Sequence, residues 1–171
     1  DIIAKELSIT PENVIVASTG VIGQVLPIEP IQSHAHELAQ TLSKEGSGDA
    51  AEAILTTDTC RQEISVSFEL GGKECRIAGM AKGSGMIHPN MATMLCFLTT
   101  DVSIDPDMLK KALPLCVTDT FNMVSVDGDT STNDMVSIMA SGQAGNVMID
   151  GEGLFFETFT EALLEVCRHL A

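Results

Sequence analysis

ISVSFELGGKECRIAGMA, residues 64–81, decides the fold class. Two strand-like runs, ISVSFEL (64–70) and KECRIAGMA (73–81), meet at Gly71-Gly72. That junction has hairpin chemistry, because glycine takes without penalty the positive φ that a two-residue turn demands. Working outward, AILTTD (53–58) and TMLCFLTTD (93–101) are expected as further strands, and VIVAS (14–18) as a short buried strand ending at Thr19-Gly20. From about Pro30 to Lys44 the spacing of Ile31, His34, Leu38 and Leu42 predicts an amphipathic helix, with a loop at Gly46-Ser47-Gly48. Asp105 as N-cap and Pro106 at the first helical position open a second helix, whose apolar face is Met108, Leu109, Ala112, Leu113 and Cys116 and which Pro114 should bend. MVSIMAS (135–141) reads as a strand, and Phe155, Phe159, Leu163, Val166 and Leu170 recur at helical spacing to the end. Strands that follow strands, interleaved unevenly with long helices, indicate α+β layers rather than a regular βαβ repeat.

A chain of 171 residues is long enough for one domain with its own core. With 44% apolar residues, 4% aromatics and neither Trp nor Tyr, that core is built from aliphatic side chains and Met, and base-stacking platforms are not expected. The formal charge of -15 would repel a phosphate backbone and an anionic membrane alike, so neither nucleic acid nor membrane is an expected partner. The five cysteines, Cys60, Cys75, Cys96, Cys116 and Cys167, are odd in number, widely spaced and mostly within apolar runs. They read as reduced thiols of a cytoplasmic protein. DIIAKELSIT lacks the basic flank and apolar block of a secretion signal, and no stretch is long and apolar enough to span a bilayer.

Several familiar chemistries fail on spacing. In KGSG, Lys82 precedes the glycines, the reverse of a phosphate-binding loop. DGDTSTND (127–134) starts like a calcium loop, but its sixth position is Thr132 and its twelfth Ile138, so a hydrogen-bonded turn is expected and no metal. His34 and His36 face different sides of a helix, and His88 and His169 are isolated. What survives is Thr93. A threonine hydroxyl is a weak nucleophile unless a base adjoins it, and a threonine at a chain terminus carries its own base in its α-amine. Freeing Thr93 requires its hydroxyl to attack the carbonyl of Ala92 and the resulting ester to be hydrolysed. The preceding GSGMIHPN (83–90) has the glycines and proline that a strained, exposed peptide needs, although a plain loop entering a strand has the same composition.

VIVASTGVIGQVLPIEPI, AILTTDT, GMAKGSGMIHPNMATMLCFLTTD and VDGDTSTND, in that order, resemble the ornithine acetyltransferases, the bifunctional glutamate N-acetyltransferases of arginine biosynthesis. The resemblance covers most of the chain. It implies a layered α/β/β/α-type sandwich of the kind shared with N-terminal-threonine aminopeptidases, and a precursor that cuts itself between Ala92 and Thr93. Residues 1–92 would then end the first processed chain and 93–171 begin the second, as parts of one catalytic core. By the same resemblance Thr93 is the nucleophile that carries the acetyl group, Thr19 and Gly20 form the oxyanion hole, and Thr56, Lys82 and Thr93 bind substrate. The implied reaction is a ping-pong transfer from N2-acetylornithine to glutamate with no cofactor, some family members also accepting acetyl-CoA, in a hetero-oligomer of the two processed chains.

Family chains extend beyond both ends of this one, so the sequence reads as a central portion or a shortened relative, which need not be active alone. Two alternatives stay open at this point. A self-processing N-terminal-threonine amidohydrolase would use the same groups with water as acceptor, and a non-catalytic α+β interaction module would use KGSGMIHPN only as a loop.

Overall fold

A computed structural model of the chain describes residues 1–21, 23–83, 94–125 and 131–171. Its centre is the hairpin. Strand β1 (Gln62–Leu70) and strand β2 (Lys73–Lys82) pair antiparallel with Leu70 opposite Lys73. Gly71 and Gly72 turn between them at φ 57° and 78°, dihedrals that a side chain would strain. β3 (Leu95–Thr100) adds antiparallel to β2, with Lys82 opposite Leu95. β4 (Met135–Ala140) lies parallel to β3, with Leu95 opposite Met135. The strand order is therefore β1-β2-β3-β4.

Residues Asp1–Ala50 and Ala51–Ala171 form two compact units. In the first, α1 (Ile2–Leu7) packs on α2 (Glu29–Gln40), burying Ala4 and Ala35, and His36 Nδ1 lies 2.8 Å from Glu6 Oε2. α2 starts at the predicted place, with Pro30 in its first turn, where a missing N–H costs nothing. Its Ile31 and Leu38 are exposed, and so is Leu42, which lies beyond its end at Gln40 although the helix was expected to reach Lys44. The strand expected at 14–18 is absent: Val14–Ser18 is irregular, with Ile15 53% and Val16 78% exposed. An apolar run becomes a strand only where a neighbour supplies ladder hydrogen bonds, and among the described residues none does here. The run at 53–58 also fails as a strand. Ala53 ends α3 (Ser47–Ala53), a helix that grows out of the expected Gly46–Gly48 loop, and the residues after it form turns.

In the second unit the helices cover one face of the sheet. α4 (Pro106–Thr118) begins where Asp105 Oδ1 accepts the Asp107 N–H at 2.8 Å, the expected N-cap, and it runs through Pro114. α5 (Leu154–Leu170) buries Phe156, Phe159, Leu163, Val166 and Leu170, the i, i+3, i+4 stripe legible in its sequence. Because neighbouring residues of a strand face opposite ways, Ile64, Val66 and Phe68, then Cys75, Ile77 and Ala81, then Cys96 and Leu98 form the face beneath these helices. α5 sits close: a Cβ on Gly79 would lie 2.5 Å from Leu98 Cδ2 and 2.8 Å from Leu170 Cδ1. Lys82, Leu95 and Met135 project from the opposite face. Helices segregated on a mixed four-stranded sheet are the α+β class expected from the sequence. Four of the cysteines are buried and Cys60 is exposed, all as free thiols. Burial pushes the Cys96 thiol up to about 12, which keeps it protonated and inert.

Candidate active site

The ladder between β2 and β3 dictates where the site lies. Lys82 is the last residue of β2 and Leu95 the first of β3, and they face each other. The chain thus leaves the sheet and re-enters it at one end, and the twelve-residue stretch between these partners ends in Thr93-Met94. Ala92 and Thr93 lie outside the described residues.

Two aspartates clamp the two ends of that stretch. Asp58 Oδ1 accepts the Gly83 N–H at 2.6 Å, and its Oδ2 accepts the Thr56 N–H at 3.0 Å, with Thr56 Oγ1 at 3.5 Å. This brings the predicted Thr56 and Lys82 to one carboxylate, and the turn 56–58 does so because it is not a strand. Asp134, directly before β4, accepts the Met94 N–H on Oδ1 at 2.9 Å. Lys82, the residue before Gly83, is only 4% exposed, and its charge acts on both carboxylates.

The two carboxylates respond in opposite directions. Burial alone would raise Asp58, but the amides of Thr56, Gly83 and Asp58 itself, helped by the Lys82 charge, outweigh it and hold the group below its ordinary 3.8. At Asp134 burial wins. Its carboxyl is raised above 3.8 although the Met94 amide, Ser131 and the Lys82 charge pull the other way, and its Oδ2 is buried without a hydrogen-bond partner among the described residues. Two acids around one cation, driven apart in strength, are a pattern of functional sites.

The lowered group carries a pH prediction. A carboxylate held low in the folded state contributes stability above its ordinary value, here 3.8, and loses it as pH falls through the folded value. Urea midpoints should therefore fall on the acid side of about pH 4, and Asp58→Asn should flatten that limb. The variant should also lose about 1–2 kcal/mol at pH 7, because an amide has one acceptor oxygen where Asp58 uses both. An acid limb of unchanged steepness in Asp58→Asn would remove Asp58 from the account.

Thr19 and Gly20 belong to the first unit, in the loop between residues 13 and 29; Thr19 is half-buried and Gly20 exposed, with Leu26 Cδ2 3.2 Å from where a Gly20 Cβ would stand. Asp58 and Asp134 are the residues that sequence reasoning missed. Both lie in quoted motifs, TTDT and STND, but as turn aspartates they look like any others until their partners 25 and 40 residues away are known. Of the turn expected at 127–134, residues 127–130 lie outside the described residues; in the remainder Asn133 N–H donates to Ser131 Oγ at 3.2 Å, and Thr132 Oγ1 bonds Asn133 Oδ1.

The ArgJ family model matches residues 1–171. The arginine biosynthesis bifunctional protein ArgJ of Symbiobacterium thermophilum is 51% identical over 168 residues, 98% of this chain and 42% of that protein. The protein of the same name from Thermotoga neapolitana is 53% identical over 168 residues, again 98% of this chain and 42% of the relative. A crystal structure of arginine biosynthesis bifunctional protein argJ from Bacillus halodurans aligns over 44% of this chain and 35% of that one, at 48% identity and a TM-score of 0.42. The chain therefore spans about 42% of the length of the curated relatives it matches. Matched along its whole length and about half identical to such relatives, the chain belongs to the ArgJ family.

Proposed function

We propose that this chain is the part of a glutamate N-acetyltransferase that carries the nucleophile, and that it moves the acetyl group of N2-acetylornithine to glutamate. Family membership supports the reaction class, and the observation that carries the site is the clamped sheet end: a buried Lys82, and two aspartates that bind the amides of Gly83 and Met94, the residues flanking the stretch that contains Thr93 in sequence.

In this reading the Thr93 hydroxyl oxygen first attacks the Ala92 carbonyl carbon. The Ala92–Thr93 C–N bond breaks, the proton passes to the Thr93 nitrogen, and water hydrolyses the ester to an Ala92 carboxylate and a free Thr93 hydroxyl. The new α-amine, with an ordinary pKa of about 7.7–8.0, then serves as base at neutral pH. Thr93 Oγ1 attacks the acetyl carbonyl of N2-acetylornithine. Its proton travels through the α-amine to the leaving nitrogen, so ornithine departs and an acetyl-threonine ester remains. The α-amine of glutamate attacks that ester, the C–O bond breaks, and the proton returns to Thr93 Oγ1. Donors from Thr19 and the Gly20 N–H would hold the oxyanion at each step, an interaction typically worth about 3 kcal/mol per donor. Lys82 would take a substrate carboxylate and Thr56 a polar group beside it.

The acetyl-CoA activity of some relatives, and assembly of the two processed chains into a hetero-oligomer, belong to the same proposal. So does a cytoplasmic location, which four buried free thiols suit. Among the described residues no helix is long and apolar enough to cross a membrane.

The test uses the full-length protein and N2-acetylornithine with an isotopic acetyl group. Without glutamate, the label should settle on the peptide that begins at Thr93, and the other chain should end at Ala92. Glutamate should then discharge the label as N-acetylglutamate. Label on another residue, or turnover by a chain still intact before Thr93, defeats the reading; acetate released without need of glutamate moves it to hydrolysis.

A further inference from the structure

Met94 is the residue whose nitrogen is bonded to the carbonyl carbon of Thr93, and its backbone is pinned at both ends. Its N–H donates to Asp134 Oδ1 at 2.9 Å, and its carbonyl accepts the Met135 N–H at 3.0 Å. The residue is 9% exposed, and the following Leu95 is locked between Lys82 and Met135 in the ladder. The carboxylate thus extends the parallel β3–β4 ladder by one rung beyond the last strand pair. A backbone carbonyl or a serine hydroxyl would satisfy a lone amide at less cost, because a buried carboxylate must be desolvated. Here that cost is visible: Oδ2 is buried without a partner among the described residues, and burial raises the group's pKa.

We propose that Asp134 is a positioning residue for the acetyl transfer, acting by holding the amide of Met94, the residue that follows Thr93 in the chain. The proposal rests on the acetyltransferase reading above. Asp134 acts through the backbone of Met94 and needs no contact with substrate. A reacting group displaced by about 1 Å typically costs about 100-fold in rate, which sets the size of the expected effect.

In the full-length protein, Asp134→Ala should slow both the division before Thr93 and the kcat of the divided enzyme by about 100-fold, with KM for N2-acetylornithine within about threefold. Asp134→Asn keeps an oxygen acceptor for the Met94 amide and should recover both rates to within about fivefold of wild type. Asp101 provides the control. Its Oδ1 accepts the Arg76 N–H at 2.8 Å at the far end of β3, an equivalent bond away from the site, and Asp101→Ala should leave both rates unchanged. Should Asp134→Ala fail to fold, Asp134→Glu carries the test: it keeps the charge, moves the oxygens by one methylene, and should slow both rates at least about tenfold.

Wild-type rates in the Ala or Glu variant overturn the proposal, as do Asn and Ala variants that are equally slow or a loss confined to KM. These results are distinct from failure of the functional reading. A wild-type protein that neither divides nor transfers acetyl sinks that reading and the positioning role with it, whereas a competent wild type with an indifferent Ala variant sinks the positioning role alone.

Discussion

Thr93→Ala should yield one undivided chain and reduce acetyl transfer to glutamate by at least about 10,000-fold, the scale of loss seen when a nucleophile acting within a catalytic unit is removed. The residue would be lost twice. Without its hydroxyl nothing attacks the Ala92 carbonyl, so the α-amine is never released, and without its oxygen no acetyl ester can form. Thr93→Ser separates this from a folding effect, because it returns a hydroxyl at the same position and should restore division. Intact-mass measurement of both variants, alongside transfer assays on each, is sufficient. A Thr93→Ala protein that still parts before position 93 would remove the hydroxyl from the cutting step, and one that still transfers acetyl at near wild-type rate would remove it from the reaction.

Phe159→Ala should lower the free energy of unfolding by about 3–5 kcal/mol, the range for a buried aromatic cut back to a methyl. Phe159 is fully buried on the sheet-facing side of α5, with its ring centroid 6.4 Å from that of Phe68 and inclined at 55°. That tilted pairing is favourable and joins the last helix to the first strand of the sheet. The surroundings collapse poorly into the space left behind, since Leu163, Ile77 and Leu98 are themselves fully buried in the same cluster. Urea denaturation should show a lower midpoint with an unchanged slope, while Glu161→Ala on the exposed side of the same helix should stay within about 0.5 kcal/mol of wild type. A loss below about 1 kcal/mol for Phe159→Ala would mean that α5 does not anchor on the hairpin through this ring.

What could be read in advance divides by the range of the interaction. The hairpin, the N-cap at Asp105 and the apolar stripe of α5 depend on contacts between residues a few positions apart, and all three form as their sequences indicate. VIVAS and AILTTD have the same apolar character as the true strands yet form none, because a strand is completed by hydrogen bonds from a partner that no local pattern specifies. The site divides in the same way. Lys82 stands out in its motif, but the motif does not say that it is 4% exposed, nor that its charge acts on two carboxylates.

The order of residues alone determined the α+β class, the starts of α2 and α4, the apolar stripe of α5, and the family, since each is written in short stretches whose chemistry acts locally or in motifs that can be matched directly; where α2 ends, and that α3 forms, were not written there. Only the tertiary structure decided which apolar runs pair, that the chain departs and returns at Lys82 and Leu95, and that Asp58 and Asp134 seize the amides of Gly83 and Met94. Those outcomes join groups 13 to 40 residues apart. Closing such distances costs chain entropy that is recovered only when the whole sheet assembles, so no segment contains the information by itself.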